Sequence, residues 1–178
     1  MRYLIACPLE IAKVRDFVRL RDELKYLAPK WKITLGPHIT IMRPGEAICE
    51  PEKATDIFQS LEFGPTFVVD YKKFGVFKAK KTAAVYAEPS GYQPFEAMRG
   101  NLLNAIPKLI KSESGEWNYH PHLTLINRLP IENLELIMYK LKTEKLDITY
   151  NIDSVVLYKK DLADDVWAEI SKQDLKKS

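Results

Sequence analysis

Two spacings of apolar residues alternate along the chain. Residues 3–6 form a short unbroken apolar run, as a buried strand does, and Ile11, Val14, Phe17, Val18 and Leu24 then recur at helical intervals up to Pro29. A strand is expected over 33–41. After it, a helix opens at Pro51, a residue suited to a first turn, and carries Ala54, Ile57, Phe58 and Leu61 on one side. A strand over 67–77 closes this half. The order then recurs: strand 83–87, helix 94–110, strand 122–129, helix 130–146 and strand 148–158, with a last strand at 166–170. Pro107 conflicts with a continuous helix to 110 and predicts a kink or an early end there.

The repeated order matters because it places two similar phrases in equivalent strands. PHITIM runs from Pro37 to Met42 and PHLTLI from Pro121 to Ile126; His38 stands 35 residues after Tyr3, and His122 stands 37 after Val85. The chain therefore reads as duplicated, with repeats over about 1–80 and 81–178. Neither half is expected to fold alone, since each is small and would expose an apolar sheet face unless packed on helices and on its twin. The expected fold is one α+β domain over 1–178. It is a bilobal pseudo-twofold duplication, with two antiparallel sheets lining a central cleft and helices on the outside.

Alternation within a strand turns His38 and Thr40 to one face and Ile39 and Ile41 to the other; His122 and Thr124 oppose Leu123 and Leu125 in the same way. Each phrase thus anchors itself by an aliphatic pair and presents an imidazole and a hydroxyl. Two such pairs around one pocket suit displacement at phosphorus. One neutral imidazole can take a proton from the attacking hydroxyl or water while a protonated one donates to the leaving oxygen. The threonine hydroxyls can donate to the non-bridging phosphate oxygens as charge builds on them. This chemistry needs no metal. A metal alternative exists in His120 and His122, which form H-x-H, although neither phrase has a carboxylate at ligand-like spacing and Pro121 favours a loop entering a strand. A lone histidine on a strand is more often a structural residue than a catalyst; the pairing in matched frames is what favours chemistry here.

Composition changes this picture little. With 46% hydrophobic and 29% charged residues the chain is in the globular range, and a net charge of +3 permits a phosphate-bearing partner without predicting one. Cys7 and Cys49 have no paired or metal-type spacing and read as reduced thiols of a cytosolic protein. The apolar run 3–7 is too short for a signal-peptide core or a membrane span, so a cytoplasmic location off the membrane is expected. Around the site, Arg43 reads either as a phosphate clamp or as an exposed loop arginine, and Tyr119 either as a stacking surface for a base or as packing. Lys78, Lys80 and Lys81 form a hairpin tip better read as solvated than as an RNA track, and Lys140, Lys142 and Lys145 a helix exterior.

The two H-x-T phrases in a duplicated α+β chain of this length resemble the two-histidine phosphoesterase superfamily, whose members include RNA 2',3'-cyclic phosphodiesterases and proteins long labelled 2'-5' RNA ligases. RYLIACPL at the start, FGVF ahead of the strand at 83–87 and the closing IDSVVLYKKDL fall where that family carries similar text. The resemblance implies a site between two lobes, no cofactor, catalysis by His38 and His122, and phosphate contact by Thr40 and Thr124. The chain departs from the family pattern in two places. Met42, Arg43, Pro44 and Gly45 replace a Phe-Leu-Gly phrase, and Asn127 stands where the second frame often has Arg, with Arg128 one place later. The expected activity is metal-independent hydrolysis of a 2',3'-cyclic phosphate on RNA or a nucleotide by a monomer. The alternatives are 2'-5' RNA end joining, cleavage of another 2'-linked or cyclic phosphodiester, and a nucleotide- or RNA-binding module without turnover.

Overall fold

The computed structural model describes residues 1–111 and 118–177. Strand β1 (Arg2–Pro8) leads through a 3-10 turn into helix α1 (Arg15–Leu24), followed by β2 (His38–Glu46), α2 (Pro51–Gln59) and β3 (Phe67–Lys78). A hairpin with Lys80 and Lys81 at its exposed tip joins β3 to β4 (Thr82–Pro89). Helices α3 (Gln93–Leu102) and α4 (Ile106–Leu109) precede β5 (Leu123–Pro130), α5 (Leu134–Leu141), β6 (Ile148–Ile152), β7 (Ser154–Lys160) and β8 (Ala168–Asp174).

Several elements differ from the sequence expectation for local reasons. The helix expected over 94–110 is two, α3 and α4, and Pro107 sits in the first turn of α4, where its missing N–H leaves no gap in the ladder. The strand expected over 33–41 begins only at His38 and continues to Glu46. What looked like one strand over 148–158 is β6 and β7, broken at Asp153 and placed in different parts of the sheet. The last strand starts two residues later than expected and runs to Asp174.

The two expected sheets are one eight-stranded sheet, in the order β6-β3-β4-β5-β2-β1-β7-β8, with every pairing antiparallel. Its centre explains the difference. β2 and β5 meet at a single pair, Ile39 opposite Leu123, and that bridge joins β6-β3-β4-β5 to β2-β1-β7-β8. β3, from the first half of the chain, pairs with β4 of the second, so the strand partners do not follow the halves of the sequence.

One face of the sheet carries the helices. Ile39, Ile41, Leu123 and Leu125 are fully buried there, in the same cluster as Phe17 of α1, Phe58 of α2, Phe95 of α3 and Ile137 of α5. On the opposite face a smaller cluster of Leu4, Ala6, Val156 and Tyr158 packs with Leu35 and Trp167. Among the described residues no helix is long and apolar enough to cross a membrane.

The histidine strands share a second feature. β2 pairs with β1 through Ala6 opposite Thr40, Ile5 opposite Met42 and Tyr3 opposite Gly45; β5 pairs with β4 through Tyr86 opposite Thr124, Val85 opposite Ile126 and Ala83 opposite Leu129. Each strand thus carries an extra residue after its threonine and another two places on, at the same offsets from its histidine. A bulge inserts one residue and shifts the alternation. Met42 and Ile126 are accordingly buried beside Ile41 and Leu125; of the next residues, Arg43 and Pro44 are half-buried, and Asn127 and Arg128 are exposed. Arg128 takes a positive φ of 53°, the left-handed backbone of such a kink.

Removing side-chain volume at the bridge is expected to destabilise the whole sheet. Ile39→Ala should lower unfolding stability by about 2–5 kcal/mol, whereas Val68→Ala, at a position 65% exposed, should change it by less than about 0.5 kcal/mol. Urea unfolding of the two variants measures both.

Candidate active site

The Ile39–Leu123 bridge fixes the geometry of the site. In an antiparallel pair the residues on either side of a bridge face the same way, so His38 lies beside Thr124, Thr40 lies beside His122, and all four look away from the helix-covered core. All four are half-buried. Their surroundings are Ala6 across from Thr40 on one side and Tyr86 across from Thr124 on the other.

The two imidazoles are held alike. His38 Nδ1 donates to the Gly36 carbonyl at 2.8 Å, and His122 Nδ1 donates to the His120 carbonyl at 2.7 Å. A carbonyl only accepts, so both neutral rings carry their proton on Nδ1 and leave Nε2 bare. Burial pushes both rings below the ordinary imidazole range, against the opposing pull of these carbonyl bonds, and His122 is lowered further by its neighbours His120 and His38. Near neutral pH the site therefore holds two uncharged rings, each with a free basic nitrogen. Among the described residues neither threonine hydroxyl has a hydrogen-bond partner, so both are free to donate.

An aromatic wall stands beside His122. Phe77 stacks on Tyr86 with ring centroids 4.3 Å apart, and the His122 ring centroid lies 5.0 and 5.2 Å from theirs, edge-on to Phe77 and tilted to Tyr86. Gly75, opposite Tyr86 in the ladder, makes room for it: a methyl built there would overlap the Tyr86 ring. His120 also packs edge-on against Phe77 and Tyr86, and its Nε2 lies 3.2 Å from the Tyr92 hydroxyl, which donates in turn to Glu88.

The site thus gathers two neutral imidazoles with bare Nε2 atoms and two threonine hydroxyls on one sheet face. The family described as the 2'-5' RNA ligase superfamily matches residues 8–164, nearly the whole chain. The chain belongs to that superfamily. Its members are the two-histidine phosphoesterases that the H-x-T phrases resemble, a family of phosphoesterases and ligases acting on phosphodiester bonds.

Solved structures agree on the fold across the full length. A phosphoesterase superposes with a TM-score of 0.68 at 16% identity, covering 99% of this chain and 98% of its own. E. coli LigT complexed with 3'-AMP gives 0.69 at 15% identity, covering 98% and 97%. A Thermus thermophilus protein, TT0787, gives 0.62 at 14% identity, covering 99% of both chains. No curated protein matches the sequence.

As a member of this superfamily the chain places the remaining candidate residues unevenly. Arg43 is half-buried just beyond the first bulge, and the Arg99 guanidinium on α3 is lowered by burial and, against the pull of Tyr119, by the Arg43 charge. Tyr119 packs against the main core, with the Arg99 guanidinium 5.1 Å over its ring, while Arg99 donates to the Ile41 carbonyl at 3.0 Å. The rings that do face the histidines, Phe77, Tyr86 and Tyr92, were missed in the sequence, although the glycine of FGVF marked the place where one of them packs. Among the described residues, no third His, Cys, Asp or Glu joins His120 and His122 in a metal-binding cluster.

The environment of the rings makes two expectations. By NMR titration both His38 and His122 should protonate below ~6.5, and His38→Gln should raise the His122 value by removing a like charge; a rise of either wild-type ring above the ordinary value would contradict the geometry. A ring lowered in the folded state binds its proton more readily when unfolded, so the stability it supports is complete above ~6.5 and is lost as pH falls through the folded value. Gly75→Ala should displace Tyr86 and Phe77, lower stability by about 1–3 kcal/mol and change the aromatic circular dichroism.

Proposed function

We propose that this chain is a metal-independent phosphodiesterase that opens 2',3'-cyclic phosphate ends of RNA or nucleotides. The observation that carries the reading is the single bridge between β2 and β5, which sets two imidazoles with bare Nε2 atoms and two free hydroxyls on one face. One histidine takes a proton from water as its oxygen attacks phosphorus. The other, protonated, gives a proton to the ribose oxygen as the P–O bond to it breaks, leaving a phosphomonoester. Thr40 and Thr124 donate to the non-bridging oxygens, whose charge grows in the transition state. The matched bulges support a duplicated unit as the origin of this symmetry.

The anionic substrate itself completes the site. Both rings rest neutral, and a phosphate between them favours the protonated form of one. Arg43, just beyond the first bulge, is a candidate phosphate contact, and the face of Phe77, a residue 39% exposed, offers a stacking surface for a base. Nucleotide complexes of E. coli LigT, with 3'-AMP, ATP and NADP+, support a nucleotide or RNA end as the partner. End joining of 2'-5' RNA opens the same ring with a 5'-hydroxyl in place of water and is read by the same assay.

Chelator-treated protein should hydrolyse cyclic nucleotides and a short RNA ending in a cyclic phosphate. His38→Ala and His122→Ala should each lower kcat by about 10² to 10⁴, and Thr40→Ala or Thr124→Ala by about 10². The kcat/KM profile should be a bell centred on the acid side of ~6.5, because both free rings are lowered. Full activity in either alanine variant of histidine, or activity lost with the chelator, would overturn the mechanism. Ligation in place of hydrolysis would reassign the nucleophile from water to a 5'-hydroxyl.

A further inference from the structure

The two H-x-T frames are alike along the main chain and unlike in what holds them. In the first, the loop that supplies the Gly36 carbonyl to His38 is fastened by main-chain bonds on both sides: Leu9 N–H donates to the Pro37 carbonyl at 2.8 Å, and Trp167 N–H donates to the Thr34 carbonyl at 3.2 Å. Gly36 needs no side chain to keep its place. In the second frame, residues 118–120 are irregular, and Tyr119 packs on the core beneath the Arg99 guanidinium. Yet the His120 carbonyl must stay at 2.7 Å from His122 Nδ1 to keep the catalytic ring in its tautomer.

The side chain of His120 is itself tethered. Its Nε2 meets the Tyr92 hydroxyl at 3.2 Å, and that hydroxyl meets a Glu88 oxygen. The protons along this chain can be assigned. The phenol has one proton, and an ionised carboxylate only accepts, so the proton points to Glu88 and the phenol oxygen accepts from His120 Nε2–H. Burial, with the Glu88 bond, holds the Tyr92 hydroxyl above its ordinary range and so keeps that proton in place. Phe77, Tyr86 and Tyr92 surround the His120 ring with centroids 4.9 to 5.3 Å away, leaving it little freedom to turn. The other titratable groups around it are His122, on its own segment, and Lys73, opposite Glu88 in the β3–β4 ladder.

We infer that Glu88, Tyr92 and His120 form a positioning unit for His122: the side-chain chain Glu88–Tyr92–His120 fixes the His120 carbonyl, which fixes the protonated nitrogen of the catalytic ring. None of the three touches the reacting atoms. The unit acts on one histidine of the pair only, so two frames of near-identical sequence are made unequal by a glycine in one and a tethered imidazole in the other. As regards turnover, this rests on the phosphodiesterase reading above.

The test uses the whole protein, with a readout that does not depend on substrate. Ring ¹⁵N shifts of His38 and His122 near pH 7 report which nitrogen carries the proton. In wild type both should be Nδ1–H. In Tyr92→Phe and His120→Ala, His122 should become a mixture of tautomers while His38 is unchanged, and His120→Gln, which keeps an N–H for Tyr92, should restore the wild-type pattern. With a cyclic mononucleotide, kcat of Tyr92→Phe should fall about 10- to 100-fold with KM within about twofold, and only one limb of the pH profile should move. Unchanged His122 shifts in Tyr92→Phe and His120→Ala, or equal changes at His38, overturn the positioning role. If wild type hydrolyses no cyclic phosphate, the functional reading falls, and the ¹⁵N shifts still decide the positioning by themselves.

Discussion

Everything in this site hangs on one antiparallel contact, Ile39 against Leu123. Two strands that share a single bridge cannot slide, because a slip of one residue would turn the aliphatic pairs outward and the imidazoles into the core. The register is held by burial instead of by a long ladder. Ile39, Ile41, Leu123 and Leu125 are fully enclosed among helix side chains, and the cost of exposing them keeps His38, Thr40, His122 and Thr124 on the opposite face. Placement of the polar residues is therefore a by-product of packing on the other side of the sheet. The same contact turns two groups of four strands into one sheet while leaving β2 and β5 otherwise unpaired with each other.

How much of this the sequence disclosed follows from what has a local signature. Period-two alternation in PHITIM and PHLTLI was enough to assign faces, because each strand buries one side only. Prolines and helical spacing located the helices to within a few residues, and the break between α3 and α4 was visible at Pro107. The bulges were not read, yet they left a trace: Ile41 with Met42 and Leu125 with Ile126 are adjacent apolar residues in otherwise alternating strands, and both members of each pair are buried. Read as an interruption of alternation, they place a bulge just ahead of Arg43 and of Asn127. The single sheet had no such trace, because strand order is set by pairings between distant segments, and β3 crosses to β4 of the other half. The aromatic wall was hidden for the same reason: Phe77, Tyr86 and Tyr92 come together with His120 and His122 only through the β3–β4–β5 pairings and the start of α3.

Symmetry in the main chain does not make the two histidines equivalent. Both rings donate from Nδ1 to the carbonyl two residues back, which fixes the tautomer that leaves Nε2 facing the site. Burial lowers both, but His122 alone has a second imidazole and an aromatic pair pressed against it. A reaction that needs a base and an acid at once gains from that inequality, since identical rings would compete for one proton. The sequence of the frames is silent on this point, because the difference lies at the residues before them, Gly36 and His120.

The departures from the family pattern after each histidine fit the same physical account. What the frame requires is an aliphatic pair pointing inward, a histidine and threonine pointing outward, and a bulge that resets the alternation. Met42 fills the inward place after the first bulge and Ile126 fills it after the second, so the core is served whichever residues follow. Beyond that place the first frame has Arg43 and Pro44, and the second has Asn127 and Arg128. An arginine one position later in sequence still emerges from the same two-residue kink, because both residues there oppose a single partner on the neighbouring strand. Identity of 14–16% to structures that share the fold over nearly full length is what such a division predicts: few positions are constrained by chemistry, and the rest only by polarity and by the place of two bulges.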